Sequence, residues 1–493
     1  MLTAAIFVPL LGAIGLLLVP RLAERAARRV ALVVSAVPLV VMVVAWVRFE
    51  GTGGFELIES VRWIPTLDVT YSVGVDGVSL PLAALTALLF TASMAFPADL
   101  RGRPRQYFAA FLFLEAVSLG VFLALDLFLF YVFFDLSLVG MYFLIAVWGH
   151  GDSQRSALKF FLYTLAGSLF MLLAILGLYL ASDPRTFDMA ELIAQQPLDA
   201  DSLRAALVFF GFVIGLGVKT PLVPVHTWLP PAHVDAPAPA SAILAGVLLK
   251  MGTYGFIRIL LSMMSETYQR FALPLAILAV VSIVYGALVA LAQTNLKRLI
   301  AYTSVNHMGY VILGVSVAAA ALGDDPDAAA LGVSGATLEM VAHGLITGAL
   351  FLLAGSFWSR GRTYELDAYG GLAGRAPALT AATILVAFAS LGLPGLVGFV
   401  AEFQIFAGTF SVYPALAGVA LVGLVITAAL FLRMLQRTFL GPLPERWATW
   451  PDLSRREVAS LVPLLVLVVV IGVAPAWVLD VIDTAAVRVV GIP

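Results

Sequence analysis

The 493-residue sequence contains no cysteine. This excludes disulfides, thiolate-held metal and iron–sulfur clusters on the chain, so any associated redox chemistry belongs to another polypeptide and no cofactor is expected here. Charge is also scarce: Asp, Glu, Lys and Arg make up 12% of residues, and the formal net charge is -2. No basic run of the kind that grips nucleic acid is present. A phosphate loop, a metal-ligand cluster and a nucleophile paired with its base are likewise missing. Gly215-Leu216-Gly217 resembles the start of a dinucleotide fingerprint, but it lies inside an apolar run with no strand before it, as helix packing does.

Apolar sequence is what the chain has in abundance. Hydrophobic residues account for 61% and the mean hydropathy is +1.02, the composition of an all-α polytopic membrane protein. At about 20 residues per crossing, the runs predict about fourteen transmembrane helices in one domain filling residues 1–493. Met1 to Pro20 reads as a retained first helix, because its charges (Arg21, Arg25, Arg28, Arg29) follow the apolar stretch instead of preceding it. Later runs begin near Val30, Ser79, Gln106, Asp126, Ala157, Ala205, Ala240, Phe271, Leu296, Ser334, Pro377, Tyr413 and Val458, the last ending near Leu479.

Basic residues divide 19 to 7 between the two sets of connections, apart from two lysines within helices. The positive-inside rule places the richer set, with Arg101, Arg103, Arg105, Lys297, Arg298, Arg360, Arg362 and Arg375, in the cytoplasm, and both termini outside. The opposite loops are acidic, with Glu50, Glu56, Glu59, Asp183, Asp188, Glu191, Asp324, Asp325 and Asp327.

Two runs are overlong and interrupted. In the seventh, Lys219 is followed by Pro221 and Pro224; in the twelfth, from Pro377 to Phe410, Pro394 and Gly395 precede Glu402. Proline removes a backbone donor, and lipid offers the freed carbonyls no partner, so such a break must face protein, water or an ion. The breaks lie five helices apart, an odd number, so two five-helix units carrying them would cross in opposite senses as inverted repeats. This divides the chain into helices 1–3 over 1–100, a first repeat over 106–264, a second over 271–440, and helix 14 over 458–479.

The two intramembrane lysines, Lys219 and Lys250, lie mid-span, too deep to snorkel to the headgroups. Low dielectric disfavours the ammonium form, so a lysine there is able to release its proton, as a relay requires. Glu115, Asp135, Glu402 and Glu339 also fall within helices, with His226, His307 and His343. Asp135, in LFYVFFDLSLVGMYF, is the natural counter-ion for Lys219. His226 is seven residues after Lys219, close to the same face if the helix resumes. Glu339 and His343, four apart, are expected to share a face, where the carboxylate would orient the imidazole. His150 and His233 are expected at the cytoplasmic rim under ordinary solvation, outside the relay.

The segments YFLIAVWGHGD, VKTPLVPVHTWLPPAHVDAPAPASAILAGVLLKMGTYG, NLKRLIAYTSVNHMGY, VAHGLITGALFLLAGS and GLPGLVGFVAEF resemble the antiporter-like membrane subunits of respiratory complex I, from about Arg103 to Arg437. By ending soon after helix 14, the chain is similar to the shorter kind of such subunit, without a long lateral helix. The resemblance implies a proton channel with a glutamate on the fifth helix, lysines on the seventh and eighth, and a lysine or glutamate on the twelfth. These correspond to Asp135, Lys219, Lys250 and Glu402, with His226, His307 and His343 at family histidine positions. Two positions depart from the pattern: Asp135 is one methylene shorter than the family's glutamate, and Gly140 stands where a proline is common.

The resemblance further implies a bacterial cytoplasmic-membrane protein in contact with lipid and with other membrane-arm subunits, antiporter-like ones included, and driven indirectly by peripheral redox subunits. Its activity would be translocase, moving protons outward with no redox step of its own. A subunit of a multisubunit cation/proton antiporter or of a membrane-bound hydrogenase would use the same residues. An inert scaffold is the reading from another class, and the broken helices speak against it.

Overall fold

The computed structural model describes residues 1–20 and 22–491; Arg21, one of the basic residues expected after the first helix, lies outside the described residues. From the N-terminus come α1 (Leu2–Leu18), α2 (Glu24–Arg48), β1 (Glu56–Ile64), β2 (Val69–Val75), α3 (Ser79–Ala95), α4 (Pro104–Leu123), α5 (Leu127–Trp148), α6 (Ser153–Tyr179) and α7 (Met189–Gln195). Then follow α8 (Leu203–Lys219), α9 (Leu229–Asp235), α10 (Ala238–Leu261), α11 (Ser265–Leu291), α12 (Leu296–Ala321) and α13 (Pro326–Gly361). The chain closes with α14 (Pro377–Ser390), α15 (Val397–Val412), α16 (Pro414–Phe439), α17 (Arg455–Val473) and α18 (Ala476–Val489). Among the described residues, ten helices are long and apolar enough to cross a membrane, and α1, α3, α14 and α15 are shorter apolar helices.

Polar residues at the helix starts set the boundaries. Asp126 accepts from Phe128 N and Leu129 N, both at 2.9 Å, and so caps α5; Ser202 caps α8 through Ala205 N at 3.0 Å. Asn295 and Asp325 do the same for α12 and α13, and Ser454 with Glu457 forms a capping box on α17. Such caps place several helices a few residues earlier than apolar runs alone indicate: α13 begins at Pro326 instead of Ser334. At 36 residues it is about 54 Å long, well beyond the roughly 30 Å of bilayer hydrocarbon.

α10, α12 and α13 are enclosed by protein almost all round, whereas α2, α16 and α17 are mostly outward-facing. Val47, Leu173 and Val425 on the outer helices are exposed, the dress of a surface that meets lipid. The enclosed helices meet at glycines. A Cβ on Gly246 would sit 3.3 Å from Gly344 O, and one on Gly344 would sit 3.0 Å from Gly246 O, so α10 and α13 cross backbone to backbone.

Three features depart from a chain of membrane-spanning helices and plain loops. Residues between α2 and α3 form an antiparallel hairpin, Val61 opposite Tyr71, tied to the α4–α5 connection through Leu125 N to Ser72 O at 2.9 Å. The short α7 follows α6. The last span stops at Val473 instead of running to Leu479, because Pro475 cannot continue the α17 ladder, and α18 turns off after it. The hairpin, Met1, the end of α18 and the Asp325 loop share one face: the Met1 amine pairs with Glu59, Gly53 lies against Arg488, and Val490 packs on Ala321, Ala328 and Ala329. The arginine-rich connections gather at the other end, Arg101 donating to Val147 O and Arg105 to Val19 O.

Candidate functional site

Lys219 is the last residue of α8 and is 1% exposed. The two prolines after it stop the helix, and residues 220–228 run as turns until α9. Protein satisfies the opened backbone: Trp228 Nε1 donates to Val218 O at 2.9 Å, and Val223 N donates to Ser282 Oγ at 3.1 Å. Lys219 Nζ donates to Ser137 Oγ at 2.9 Å and lies 4.7 Å from the centre of the Phe134 ring. Asp135 is on the same stretch of α5 but makes no ion pair with Lys219, and its Oδ1 is buried without a partner. The expected direct pair is therefore open. The serine two residues on takes the ammonium instead.

His226 lies in the turn segment, so the expectation of a resumed helix carrying it on the Lys219 face is corrected. Its ring instead faces Tyr285 and Tyr302 at 5.2 and 6.1 Å. Glu115 is buried and accepts from Ser35 Oγ on α2 at 2.8 Å, turned to that helix.

Around Lys250, α10 is not a regular α-helix. Leu244–Leu248 and Phe256–Leu261 are π-helical, and the wider turn leaves Ala245 O open to Lys250 Nζ at 2.5 Å. The second partner of the ammonium is His343 Nδ1, also at 2.5 Å. The backbone contact at Gly246 and Gly344 makes this meeting possible, since Lys250 and His343 flank it. From there the cluster continues across helices. The His343 and His307 rings are 5.4 Å apart, His307 Nδ1 is 2.9 Å from Glu339 Oε1, its Nε2 is 3.1 Å from Ser390 Oγ, and Glu402 Oε1 is 3.9 Å away. Either tautomer fits the network: Nδ1 donates to the Glu339 carboxylate while Nε2 accepts from the Ser390 hydroxyl, or a protonated Glu339 donates to Nδ1 while Nε2 donates to Ser390 Oγ. The expected Glu339–His343 pairing along α13 is corrected, because each side chain turns to another helix, Glu339 to α12 and His343 to α10.

Glu402 stands just beyond the gap between α14 and α15. Gly392 in that gap has φ +74°, and a Cβ there would collide with the Glu402 carboxylate, so glycine is required both for the turn and for room. All members from Lys250 to Glu402 are nearly or wholly buried. Among the described residues, no group of three or more His, Asp and Glu is arranged to hold a metal ion.

His233 is not solvated: it is fully buried and stacked on Phe351 at 4.4 Å. His150 is partly buried at the rim, its ring tilted against Trp358 at 4.3 Å. His150 lies in the connection between α5 and α6, where burial, then the positive charges of Lys297 and Arg101, push it down to about 3. Lys297 is buried as well, its Nζ donating to the carbonyls of His233 and Ala236 and to Ser241 Oγ. A run such as NLKRLI reads as a helix start at the membrane rim, so nothing in the sequence marked this lysine as internal.

Discontinuous helices that bring a buried file of lysine, histidine and carboxylate to their breaks define a polytopic subunit of the antiporter-like class. Residues 124–427 match the family model described as NADH:quinone oxidoreductase/Mrp antiporter, transmembrane. Subunit M of the NADH-quinone oxidoreductase of Rhodobacter capsulatus is 39% identical, over 98% of this chain and 95% of its own. A chain of respiratory complex I from Thermus thermophilus superposes with a TM-score of 0.88 at 31% identity, with both chains covered in full. A chain of the Mrp complex from a Dietzia species shares the fold at a TM-score of 0.87 and 23% identity, over 99% of this chain and 97% of that one. This chain belongs to the complex I family of antiporter-like membrane subunits, as a subunit M or chain 4 of NADH:quinone oxidoreductase.

Proposed function

We propose that the chain translocates protons outward across a bacterial cytoplasmic membrane, driven by redox chemistry on other subunits of the complex. The observation that carries this reading is the buried file Lys250, His343, His307, Glu339 and Glu402, whose adjacent members lie within contact or near-contact distance on four helices. A lysine shielded from water exchanges a proton readily with a neighbouring imidazole, and a histidine with a donor bond on one nitrogen and an acceptor bond on the other is arranged to pass one on. In this reading Asp135 and Lys219 form the switch, their separation altered by changes arriving from neighbouring membrane-arm subunits. Lys219 hands on through the turn segment holding His226 to Lys250, and Glu402 releases on the hairpin face.

Fourteen crossings follow if α8 with α9, and α14 with α15, each count as one broken helix. Those two breaks then belong to the two inverted five-helix units. The basic face carrying Arg101 and Arg360 is the cytoplasmic one.

The test is proton pumping by the assembled complex in vesicles with Lys219→Ala and Lys250→Ala. Loss of pumping with assembly intact is expected; normal pumping with both replaced would leave the chain a scaffold. The fold shared with the Mrp complex chain keeps ion-gradient-driven exchange as a second reading. Flavin and iron–sulfur subunits copurifying with this chain decide for the first.

A further inference from the structure

Both nitrogens of the His233 ring, and Nε2 of His150, are buried with no protein partner. A neutral imidazole always carries one N–H donor and one bare acceptor, and native proteins rarely leave such groups unmatched in the interior. Stacking on Phe351 explains the His233 ring plane but satisfies neither nitrogen. Buried water does, since a site of this kind holds water where two or more polar groups converge.

Beside His150 is a cavity of about 230 Å³, lined by Asp99, Arg101, Pro239, Ser359 and Tyr364 among others, on the arginine-rich face. At about 30 Å³ per water it accommodates several molecules. The His150 ring is 5.6 Å from that of Tyr364, over which Lys297 Nζ lies, and the same Nζ bonds to His233 O. Phe351, on which His233 stacks, is about two turns along α13 from His343, the partner of Lys250. These contacts link the cavity, His150, Lys297 and His233, with His343 and Lys250 on the far side of the Phe351 stack.

Lys297 closes this row on one side, its ammonium held by His233 O at 3.0 Å, Ala236 O at 2.5 Å and Ser241 Oγ at 3.2 Å, over the Tyr364 ring at 5.0 Å. That accounts for the lysine as a cap on the α9 carbonyls. It does not account for the two imidazoles.

We propose that the cavity, His150 and His233 form the port through which protons from the arginine-rich face reach Lys250 and His343. Each imidazole accepts a proton from water at its bare nitrogen and releases the one on the other nitrogen to the next water. One proton advances and the ring ends neutral. The neighbouring cations suit this role, because they disfavour a trapped imidazolium.

The port rests on the proton-translocating reading above, and the experiment separates the two. In the assembled complex in vesicles, proton-to-electron ratio, assembly and NADH:quinone turnover are measured for Lys250→Met, His233→Phe and Ser359→Cys. Phenylalanine preserves the stack on Phe351 and removes both nitrogens. His233→Phe is expected to assemble and turn over, with the ratio lowered as far as in Lys250→Met. Ser359→Cys is expected to lose ratio on reaction with a bulky methanethiosulfonate and to regain it on reduction, the parent treated alike being unchanged.

If Lys250→Met pumps as the parent does, the translocating reading fails and the port with it. If Lys250→Met is impaired while assembled His233→Phe pumps normally, the port alone is overturned. Normal pumping with Ser359→Cys fully labelled overturns the cavity entrance, and this arm decides by itself should His233→Phe fail to assemble.

Discussion

Replacing Lys250 by methionine separates a functional charge from a structural one. The two side chains are similar in length and volume, so the change removes a buried ammonium while keeping the packing of an enclosed helix. The losses are two hydrogen bonds from a charged donor, to Ala245 O and His343 Nδ1, worth about 1.5–3 kcal/mol each as net contributions. His343 Nδ1 is left needing a partner, and Thr347 Oγ1 at 3.4 Å is placed to supply it. Against this stands the end of desolvation: replacing buried ionic groups with apolar ones of matching volume is often neutral or stabilising by about 1–4 kcal/mol. The two sides overlap, so the expected outcome is a complex of unchanged or slightly lower thermal stability that pumps fewer protons per electron. Thermal dissociation of the purified complex and proton-to-electron ratios in vesicles measure the two quantities. A complex that loses stability yet pumps normally would refute the reasoning, because Lys250 would then be an anchor and not a carrier.

Asp135→Glu is expected to retain pumping, its extra methylene bringing the carboxylate toward Lys219 in place of Ser137 Oγ. Asp135→Asn is expected to impair pumping by leaving a buried cation uncompensated, so parent-like ratios for Asn would strip Asp135 of any charge role. Single cysteines at 326 and 103 test orientation: an impermeant thiol reagent added outside should label 326 and spare 103, and the reverse sinks the assignment of faces. The purified chain alone is expected to oxidise no NADH and reduce no quinone, which a cofactor-free assay of turnover checks. Asp76→Asn leaves Arg258 buried without its countercharge and is expected to cost about 3–5 kcal/mol, seen as reduced assembly on native gels; full assembly with normal thermal stability would show that the pair contributes little.

Membrane class, the apolar runs and the two broken helices were legible in the chain itself, because the need to bury about 20 apolar residues per crossing and the loss of a donor at proline act locally. Lys219, Lys250 and Glu402 stood out for the same reason: a charge inside an apolar run is conspicuous wherever its partners lie. What those residues touch was decided by helix crossings. Glu339 and His343 share one helix, yet each bonds across to another, and their partners His307 and Lys250 lie 32 and 93 residues away in sequence. Only the glycine contact between α10 and α13 and the π-helical turn at Leu244–Leu248 bring Lys250 to His343, and neither has a sequence period that marks it. The same applies to Lys297 and His233, which read as a solvated rim because linear sequence reports distance from an apolar run and not how deeply neighbouring helices enclose it. The gap between Asp135 and Lys219 belongs with them: the missing methylene was visible in the sequence, but that Ser137 takes the ammonium instead depends on how α5 is turned against α8.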